Sequence, residues 1–291
     1  DRGPEPELPL KPIGPNMQQS IGNTSPIRTY QDLLQNPYDE ALFEYYATTQ
    51  LARLPVDGSR AELLGQPGMI MNASCSPDGN LLLVSVLTKP FSYLHPYSMF
   101  PQEVFLCDQK GERLQLVADI PLAENIPIEG VRVGPRTIRW SHHDPSRLLW
   151  YEALDGGDPK TKVAFRDRLM DWSAPFQQPP QEVLKIEHRA MGLVFFEKSG
   201  VIATSDMDRD RRWIRTLLVD LNEPGTPPVT LDDRSVRDRY AAPGRLVTRS
   251  EETGYSIVRQ DEDWVYLSGT GATPDGDRPF LDRRNLKTLE T

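Results

Sequence analysis

A short recurring unit constrains the fold of this chain more than any other feature of its sequence. In each copy an apolar strand ends in an aspartate, and a polar turn follows. The five aspartates lie roughly 50 to 60 residues apart and are Asp57, Asp108, Asp171, Asp220 and Asp282. A propeller blade of four short strands and their loops needs about 40–50 residues, and blades bury their faces only by stacking on neighbours. The spacing therefore favours a β-propeller over other all-β folds.

A second marker is a tight turn that precedes an apolar strand. Ser76-Pro-Asp-Gly79 leads into a run that ends at Val84, and the segment from Trp140 to Trp150 repeats the pattern with a longer turn. Proline and aspartate favour the turn, glycine accepts a positive φ, and the following run is apolar enough to be buried on both faces. We therefore predict an all-β fold, a partial β-propeller of about four to five blades of four-stranded antiparallel sheet.

The first part of the chain follows a different pattern. Residues 1–27 contain six prolines and almost no periodicity, which indicates a Pro-rich extended segment before a propeller portion at residues 28–291. Near residues 29–47 apolar side chains recur at helical spacing, at Leu42, Tyr45 and Tyr46. This spacing predicts a short helix or two, broken at Pro37.

Charge and hydropathy argue against two classes of partner. Lys and Arg number 33 against 42 Asp and Glu, which gives a net charge of −9 and a pI near 5.1. Such a chain is poorly suited to neutralising nucleic-acid phosphates. The longest largely apolar run, Leu81 to Leu87, is far shorter than the ~20 residues of a membrane span. We expect a soluble chain without nucleic-acid or membrane partners.

The residue types that bind metals occur in unsuitable patterns. Cys75 and Cys107 have no second Cys or His nearby, which excludes the paired ligands of structural zinc. They form either one disulfide or, in the interpretation we favour, two buried free thiols. His142-His143-Asp144 precedes a proline, which is ordinary turn chemistry. We expect no metal ion and no cofactor.

No catalytic residue can be assigned from the sequence. The chain has no Gly-x-Ser-x-Gly turn that would expose a nucleophilic serine above a sheet. A serine–histidine–acid triad also needs a histidine that a carboxylate orients. The four histidines fall in predicted turns or blade strands and are His95, His142, His143 and His188. We interpret all four as structural residues.

Several long segments resemble one family of enzymes. The segment from Arg28 to Leu51 is similar to the chloroplast glutamyl endopeptidases and their bacterial relatives, which are serine peptidases of the prolyl oligopeptidase family. The resemblance spans essentially residues 15–291. Its further segments are Lys89 to Tyr93, Asp119 to Pro127, Trp150 to Lys160, Asp232 to Ser235 and Gly269 to Asp282.

The resemblance implies that the propeller and the catalytic residues belong to different domains of a longer protein. Such enzymes have an N-terminal β-propeller, thought to cover the active site, and a C-terminal α/β-hydrolase domain. This chain resembles the middle and end of the propeller, so the nucleophile, acid and base have no matching positions here. The first residue is Asp rather than Met, and the last residues read as a strand and turn, which also indicates a section of a longer chain. The implied partners are a hydrolase domain of the same protein and a peptide substrate.

The resemblance suggests a function for one cluster of arginines. Arg209, Arg211, Arg212 and Arg215 crowd one loop and the start of a strand. The plain interpretation is a solvated face whose charge Asp206, Asp208 and Asp210 neutralise. The functional interpretation follows from the resemblance, because an enzyme that cuts after glutamate needs cations near the substrate carboxylate. On that interpretation Arg209, Arg211 and Arg212 bind substrate.

The sequence thus supports one hypothesis of function and one alternative. The first is the non-catalytic propeller portion of a serine endopeptidase, which gates or orients peptides for a hydrolase domain that this chain lacks. The resemblance places it in the cytoplasm of a bacterium or in the chloroplast stroma of a plant. The alternative is a free-standing β-propeller that serves as a protein-interaction scaffold.

Overall fold

A computed structural model describes residues 3–9, 30–142, 144, 146–198, 200–223 and 225–291. Most of the Pro-rich extended segment predicted at residues 1–27 lies outside these ranges, as does His143. The chain divides into two compact units. Unit 1 comprises residues 1–135 and 156–161, and unit 2 comprises residues 136–155 and 162–291.

Unit 1 carries one α-helix, one 3₁₀ turn and two antiparallel sheets among its described residues. The elements are α1 (Pro37–Ala47), β1 (Thr49–Arg53), β2 (Glu62–Gly68), β3 (Ile70–Cys75), β4 (Leu82–Leu87), the 3₁₀ turn (Tyr97–Met99), β5 (Gln102–Cys107) and β6 (Arg113–Ile120). Strands β1 and β2 form a two-stranded sheet, and β3 to β6 form a four-stranded sheet in chain order.

Helix α1 corrects the prediction at its first residue. Pro37 does not break a helix but begins one, and the described residues from 30 to 36 are not helical. Proline suits the first helical turn because its missing N–H would have no partner there. The Asn36 side-chain oxygen accepts hydrogen bonds from the backbone N–H groups of Tyr38 (2.9 Å) and Asp39 (3.0 Å), an N-cap.

The side chain that docks α1 was also not the one that the spacing indicated. Phe43 packs edge-on against Phe91 (5.3 Å between ring centroids) and Phe100 (5.8 Å), whereas Tyr46 is 58% exposed. The helix therefore packs on the loop between β4 and β5, which carries Phe91 and Phe100. Periodicity alone could not distinguish these neighbouring aromatic positions.

The two cysteines are free thiols. Cys75 of β3 and Cys107 of β5 both pair with Leu82 of β4, so they lie two strand spacings, or about 10 Å, apart. A disulfide requires Cα atoms within about 7 Å, so the sheet keeps them separate. Cys107 is buried as expected, but Cys75 is exposed, which corrects the prediction of two buried thiols.

Unit 2 consists of strands and turns in its described residues. The elements are β7 (Arg136–Trp140), β8 (Arg147–Ala153), β9 (Asp167–Ser173), β10 (Gln181–Ile186), β11 (Arg189–Phe196), β12 (Val201–Asp208), β13 (Trp213–Asp220), β14 (Val229–Ser235), β15 (Arg245–Leu246), β16 (Thr248–Ser250), β17 (Ser256–Val258), β18 (Gln260–Asp261), β19 (Trp264–Gly269), β20 (Ala272–Thr273), β21 (Gly276–Asp277) and β22 (Phe280–Asn285). Strands β7 to β10 form one four-stranded antiparallel sheet. Strands β11 to β14 are the four antiparallel strands of a six-stranded sheet, which β17 and β16 extend beyond β11; we call β7–β10 and β11–β14 the two regular sheets.

The last part of unit 2 is less regular than a four-stranded blade. Strand β19 pairs with β15, β18 and β22, while β16 pairs with β17. Strand β17 also pairs in parallel with β11 of the preceding sheet, through Phe195 opposite Ile257. The result is a sheet split into short pieces, which we call the split sheet (β15, β18, β19 and β22).

Three of the five repeat aspartates mark a similar place in successive sheets. Asp108 directly follows β5, Asp171 lies within β9 and Asp220 ends β13, and each of these is the third strand of its run, β3–β6, β7–β10 or β11–β14. The other two do not fit the repeat, because Asp57 follows β1 of a two-stranded sheet and Asp282 lies within β22. The predicted all-β fold with several four-stranded antiparallel sheets is confirmed. No helix in the described residues is both long and apolar enough to cross a bilayer.

The sheets of unit 2 are held together by a shared core. Buried residues from β8, β9, β10, β11, β12 and β13 form one cluster. Its most deeply buried members include Leu149, Leu169, Ile186 and Ile202, each 0% exposed. Because this cluster draws on both regular sheets, neither sheet could bury its apolar face alone.

Candidate functional site

One edge of unit 2 concentrates charged side chains. Because β8 and β9 are antiparallel, the end of β8 lies beside the start of β9. In the same way the end of β12 lies beside the start of β13 and beside the start of β11, into which β10 leads. We call this the charged edge. It carries three buried carboxylates, those of Asp155, Asp167 and Asp206, which are 3%, 0% and 1% exposed.

Asp167 is the most enclosed of the three carboxylates. It accepts hydrogen bonds from Arg136 Nη2 (2.6 Å), Arg189 Nη1 (2.6 Å) and the backbone N–H of Ala190 (2.7 Å). Two charged donors and a main-chain donor offset the cost of burying its charge. Since Asp167 begins β9 and Arg189 begins β11, these bonds join the two regular sheets.

Arg189 also bonds a second buried carboxylate. Its Nη2 donates a short hydrogen bond to Asp155, which also accepts from Arg166 Nη1 at 2.9 Å. Burial lowers the pKa of Arg189, but the bond to Asp155 and the charge of Asp167 outweigh it and raise the pKa. Arg189 therefore bridges two carboxylates that lie in the β8–β9 part of the fold.

Asp206 binds the fourth member of the predicted arginine cluster. Arg215 donates from Nε (3.1 Å) and Nη2 (2.5 Å) to the two oxygens of Asp206, and from Nη1 to Glu187 (2.7 Å). The bond to Asp206 raises the pKa of Arg215 despite partial burial. The backbone N–H of His188 also donates to Asp206 (3.2 Å). Arg215 is thus committed to the protein's own carboxylates.

The other three arginines form the turn between β12 and β13, which we call the arginine turn (Arg209, Arg211 and Arg212). All three are exposed. The Arg211 backbone N–H donates to Asp208 (3.1 Å), and its guanidinium lies 5.0 Å from the ring centroid of Trp213. Arg212 has a φ of 53°, a region that few side chains adopt. The fold therefore presents three cations on one tight turn beside the buried network.

The histidines are arranged for packing. His142 stacks between Phe195 (3.9 Å) and Tyr255 (4.4 Å between ring centroids). His95 is 6% exposed and packs edge-on against Tyr30. Within the described ranges, no group of three or more His, Cys, Asp or Glu residues is placed to hold a metal ion.

Sequence reasoning missed the buried part of the charged edge. The Asp155-Gly-Gly-Asp158 segment reads as a turn, and Gly157 indeed has a φ of 80°; a Cβ there would lie 2.1 Å from the Val131 carbonyl oxygen. Nothing local shows that Asp155 is buried or that Arg189, far along the chain, is its partner. The one available signal was that acidic and basic residues recur at strand ends.

Two plant proteins match this chain over almost its whole length. A probable chloroplastic glutamyl endopeptidase of Oryza sativa subsp. japonica is 36% identical over 297 residues, and one of Arabidopsis thaliana is 36% identical over 298 residues. Each match covers 99% of this chain and 31% of the plant protein. The chain thus spans about a third of the length of these relatives. No family model matches it.

A solved structure shares the fold. The crystal structure of a putative dipeptidyl aminopeptidase IV from Bacteroides ovatus superposes with a TM-score of 0.51 at 8% sequence identity. The superposition covers 83% of this chain and 31% of that one. At this identity the likeness supports the architecture alone.

Proposed function

We propose that this chain, a homologue of the glutamyl endopeptidases over nearly all of its length, is the non-catalytic β-propeller portion of a serine endopeptidase. In this role residues 28–291 form the propeller portion, preceded by the extended segment at residues 1–27. They gate or orient peptide substrate for an α/β-hydrolase domain of the same protein. The observation that carries the proposal is 36% identity over 99% of the chain, matched to 31% of an endopeptidase.

The reaction would be acyl transfer from a peptide bond to a serine, followed by hydrolysis of the acyl-enzyme. We assign the nucleophile and its base to the hydrolase domain, so this chain contributes access and binding and requires no cofactor. Both plant relatives are named chloroplastic. We propose the chloroplast stroma as the compartment in a plant and the cytoplasm in a bacterium.

The native mass of the polypeptide tests this proposal first. An antibody against the chain, followed by intact mass spectrometry of the captured protein, should give a product about three times larger than 33.0 kDa, because the match covers 31% of each relative. A native product of 33.0 kDa would contradict the proposal. That result would favour a free-standing propeller that acts as an interaction scaffold.

We further propose that the arginine turn binds an acidic group of the peptide substrate. Three exposed cations lie on one turn, and the neighbouring Arg215 is held by Asp206 and Glu187. Asp206 of β12 and Arg215 of β13 bond across the two strands that the turn joins, so the turn keeps the three guanidinium groups close together for a carboxylate to bind.

Steady-state kinetics of the whole native protein test the arginine turn. Replacing Arg209, Arg211 and Arg212 together with Gln should lower kcat/KM about tenfold for a peptide with glutamate at the cleaved bond, since exposed ion pairs contribute about 1 kcal/mol or less each. An Arg278→Gln variant removes an exposed charge elsewhere in unit 2 and should leave kcat/KM unchanged. Equal losses in both variants would refute a specific role.

A further inference from the structure

The first strand of the β7–β10 sheet carries a β-bulge. Its register with β8 shifts between Arg136, which pairs with Tyr151, and Arg139, which pairs with Leu149. Thr137, within the bulge, has a φ of 56° and an exposed side chain. A β-branched residue rarely adopts that backbone conformation, and bulges often re-aim a side chain beside a binding or catalytic site. The bulge therefore directs attention to the side chains on either side of it.

The bulge places two arginines on one face of the sheet. Residues three apart on a regular strand face opposite sides, because side chains alternate along the strand. Tyr151 and Leu149 are two residues apart on β8 and share a face, so Arg136 and Arg139, which lie directly opposite them, share it too. Tyr151 and Leu149 belong to the cluster that the two regular sheets share. Both arginines therefore lie on the face that meets the β11–β14 sheet.

The positive charge of this pair is only partly neutralised. Arg136 shares the carboxylate of Asp167 with Arg189. Arg139 reaches across to β11 and donates to the Leu193 carbonyl at 3.2 Å. In the part of the chain that the structure describes, Arg139 forms no ion pair with a carboxylate. A half-buried guanidinium without an acid is costly, so Arg139 is suited to bind an anion from outside the chain.

Other polar groups of this face and of the charged edge are bonded elsewhere. Burial raises the pKa of Tyr151 to about 12, so the phenol is neutral at physiological pH, and its oxygen bonds the Thr204 hydroxyl (2.8 Å). Asp206 is held by two nitrogens of Arg215. The Nε of Arg136 is buried and has no hydrogen-bond partner among the described residues. Since buried donors are normally paired, a ligand oxygen at this pair would supply both a charge and an acceptor.

We propose that Arg136 and Arg139 bind the side-chain carboxylate of an acidic peptide. Guanidinium groups bind carboxylates with two parallel hydrogen bonds, and one carboxylate gives Arg139 the negative charge that it lacks. Arg139 is half-buried, whereas the neighbouring Thr137 is exposed, so a carboxylate on a flexible side chain reaches the guanidinium more readily than one fixed to a main chain. The choice of a peptide rests on the proposed function, while the anion site itself follows from the bulge and the charges around it.

Calorimetric titration of the 291-residue chain tests the site with blocked peptides of the same shape. Acetyl-Ala-Glu-Ala-amide carries the carboxylate, and acetyl-Ala-Gln-Ala-amide replaces it with a neutral group. The glutamate peptide should bind with a Kd about tenfold or more below that of the glutamine peptide, because a charge-assisted hydrogen bond is lost in the second. A third peptide, acetyl-Ala-Gln-Ala with a free C-terminal carboxylate, should bind no more tightly than the blocked glutamine peptide.

Variants of single arginines assign the binding to the bulge. Arg139→Gln should raise the Kd of the glutamate peptide about tenfold and leave that of the glutamine peptide unchanged. Arg139→Lys keeps the charge but not the paired hydrogen bonds, so it should give an intermediate Kd, and it replaces Arg139→Gln if circular dichroism shows that the latter is unfolded. Arg132→Gln is the matched control, because Arg132 is also half-buried and donates to the carbonyls of Ser98 and Phe100. It should change neither Kd.

Three results would overturn the proposal. They are equal affinity for the glutamate and glutamine peptides, a glutamate preference that no substitution of Arg139 alters, and tightest binding of the peptide with a free C-terminus. The variant with Gln at all three positions of the arginine turn should keep the glutamate preference. A preference that is lost in that variant but kept in Arg139→Gln would refute the site at the bulge and leave the proposed role of the arginine turn standing. The native mass of the polypeptide is measured independently, so this inference and the proposed function can fail separately.

Discussion

At the scale of single residues, burial decides what a polar group can do. Asp167 and Asp155 lie in the interior because arginines meet them there, while Arg209, Arg211 and Arg212 stay at the surface. The sequence alone does not distinguish the charged residues that are buried from those that are exposed. The enclosed ones are held by internal partners, whereas the three arginines keep their side chains at the surface, where the Arg211 guanidinium lies 3.8 Å from the Asp208 carboxylate.

Cys107 gives a pH prediction at this scale. Burial raises the pKa of its thiol from 9.0 to about 11, so between these values the unfolded chain loses a proton that the folded chain keeps. The free energy of unfolding should therefore fall as the pH rises from 9 to 11, by up to about 2 kcal/mol for a shift of this size. Urea unfolding followed by circular dichroism at pH 8 and pH 10.5 measures the fall.

Two cysteine variants isolate the contribution of this thiol. Cys107→Ala should show a smaller loss of stability between the two pH values, while Cys75→Ala, at an exposed position, should keep the wild-type slope. An identical slope in wild type and Cys107→Ala would show that the buried thiol does not contribute.

At the scale of elements, ion pairs and caps define where strands and helices meet. The Asn36 cap begins α1 at Pro37, and Arg189 joins the start of β11 to the β8–β9 part of the neighbouring sheet. In the described residues no strand of β7–β10 pairs with a strand of β11–β14, so side chains set the contact between these two regular sheets. Here both an apolar cluster and a buried charged network contribute.

Arg189→Leu should weaken unit 2 substantially. The substitution deprives two buried carboxylates of a charged donor, and breaking a buried pair typically costs about 3–5 kcal/mol. All five tryptophans lie in unit 2, so their fluorescence in a urea titration reports its unfolding. Arg259→Leu, at a 56% exposed side chain, is the matched control and should cost less than about 1 kcal/mol. Comparable losses in the two variants would argue against the bridging role.

At the scale of the whole molecule, the chain covers about a third of the plant endopeptidases that it resembles. Its described residues form two compact units of mostly antiparallel sheet. The proposed function assigns chemistry to a hydrolase domain and leaves binding and access to these sheets. The proposal can therefore be tested by finding which part of the protein carries the reactive serine.

A fluorophosphonate probe, which labels activated serines, should locate the catalytic centre. In the native polypeptide, we expect peptide mapping to place the label outside the segment that corresponds to residues 1–291. The 291-residue chain alone should remain unlabelled, with a heat-unfolded sample as the control for non-specific reaction. Labelling of a serine within this chain would contradict the assignment of a non-catalytic role.

Local sequence patterns predict the repeating sheets. Turn residues such as those of Ser76-Pro-Asp-Gly79 and apolar runs act locally, so the four-stranded pattern and three of the five aspartate markers could be predicted without a structure. The sequence also placed the arginine turn, since Arg209, Arg211 and Arg212 are neighbours in the chain. It misplaced the start of α1 only because Pro37 can either end or begin a helix.

Which groups meet across sheets follows from the tertiary structure. Arg189 lies more than twenty residues from Asp167 and Asp155, and no local pattern selects these partners. The choice of Phe43 to dock α1 and the parallel pairing of β17 with β11 have the same origin. Each depends on how neighbouring sheets stack, because burial and partner choice follow from surfaces that the chain brings together only when it folds.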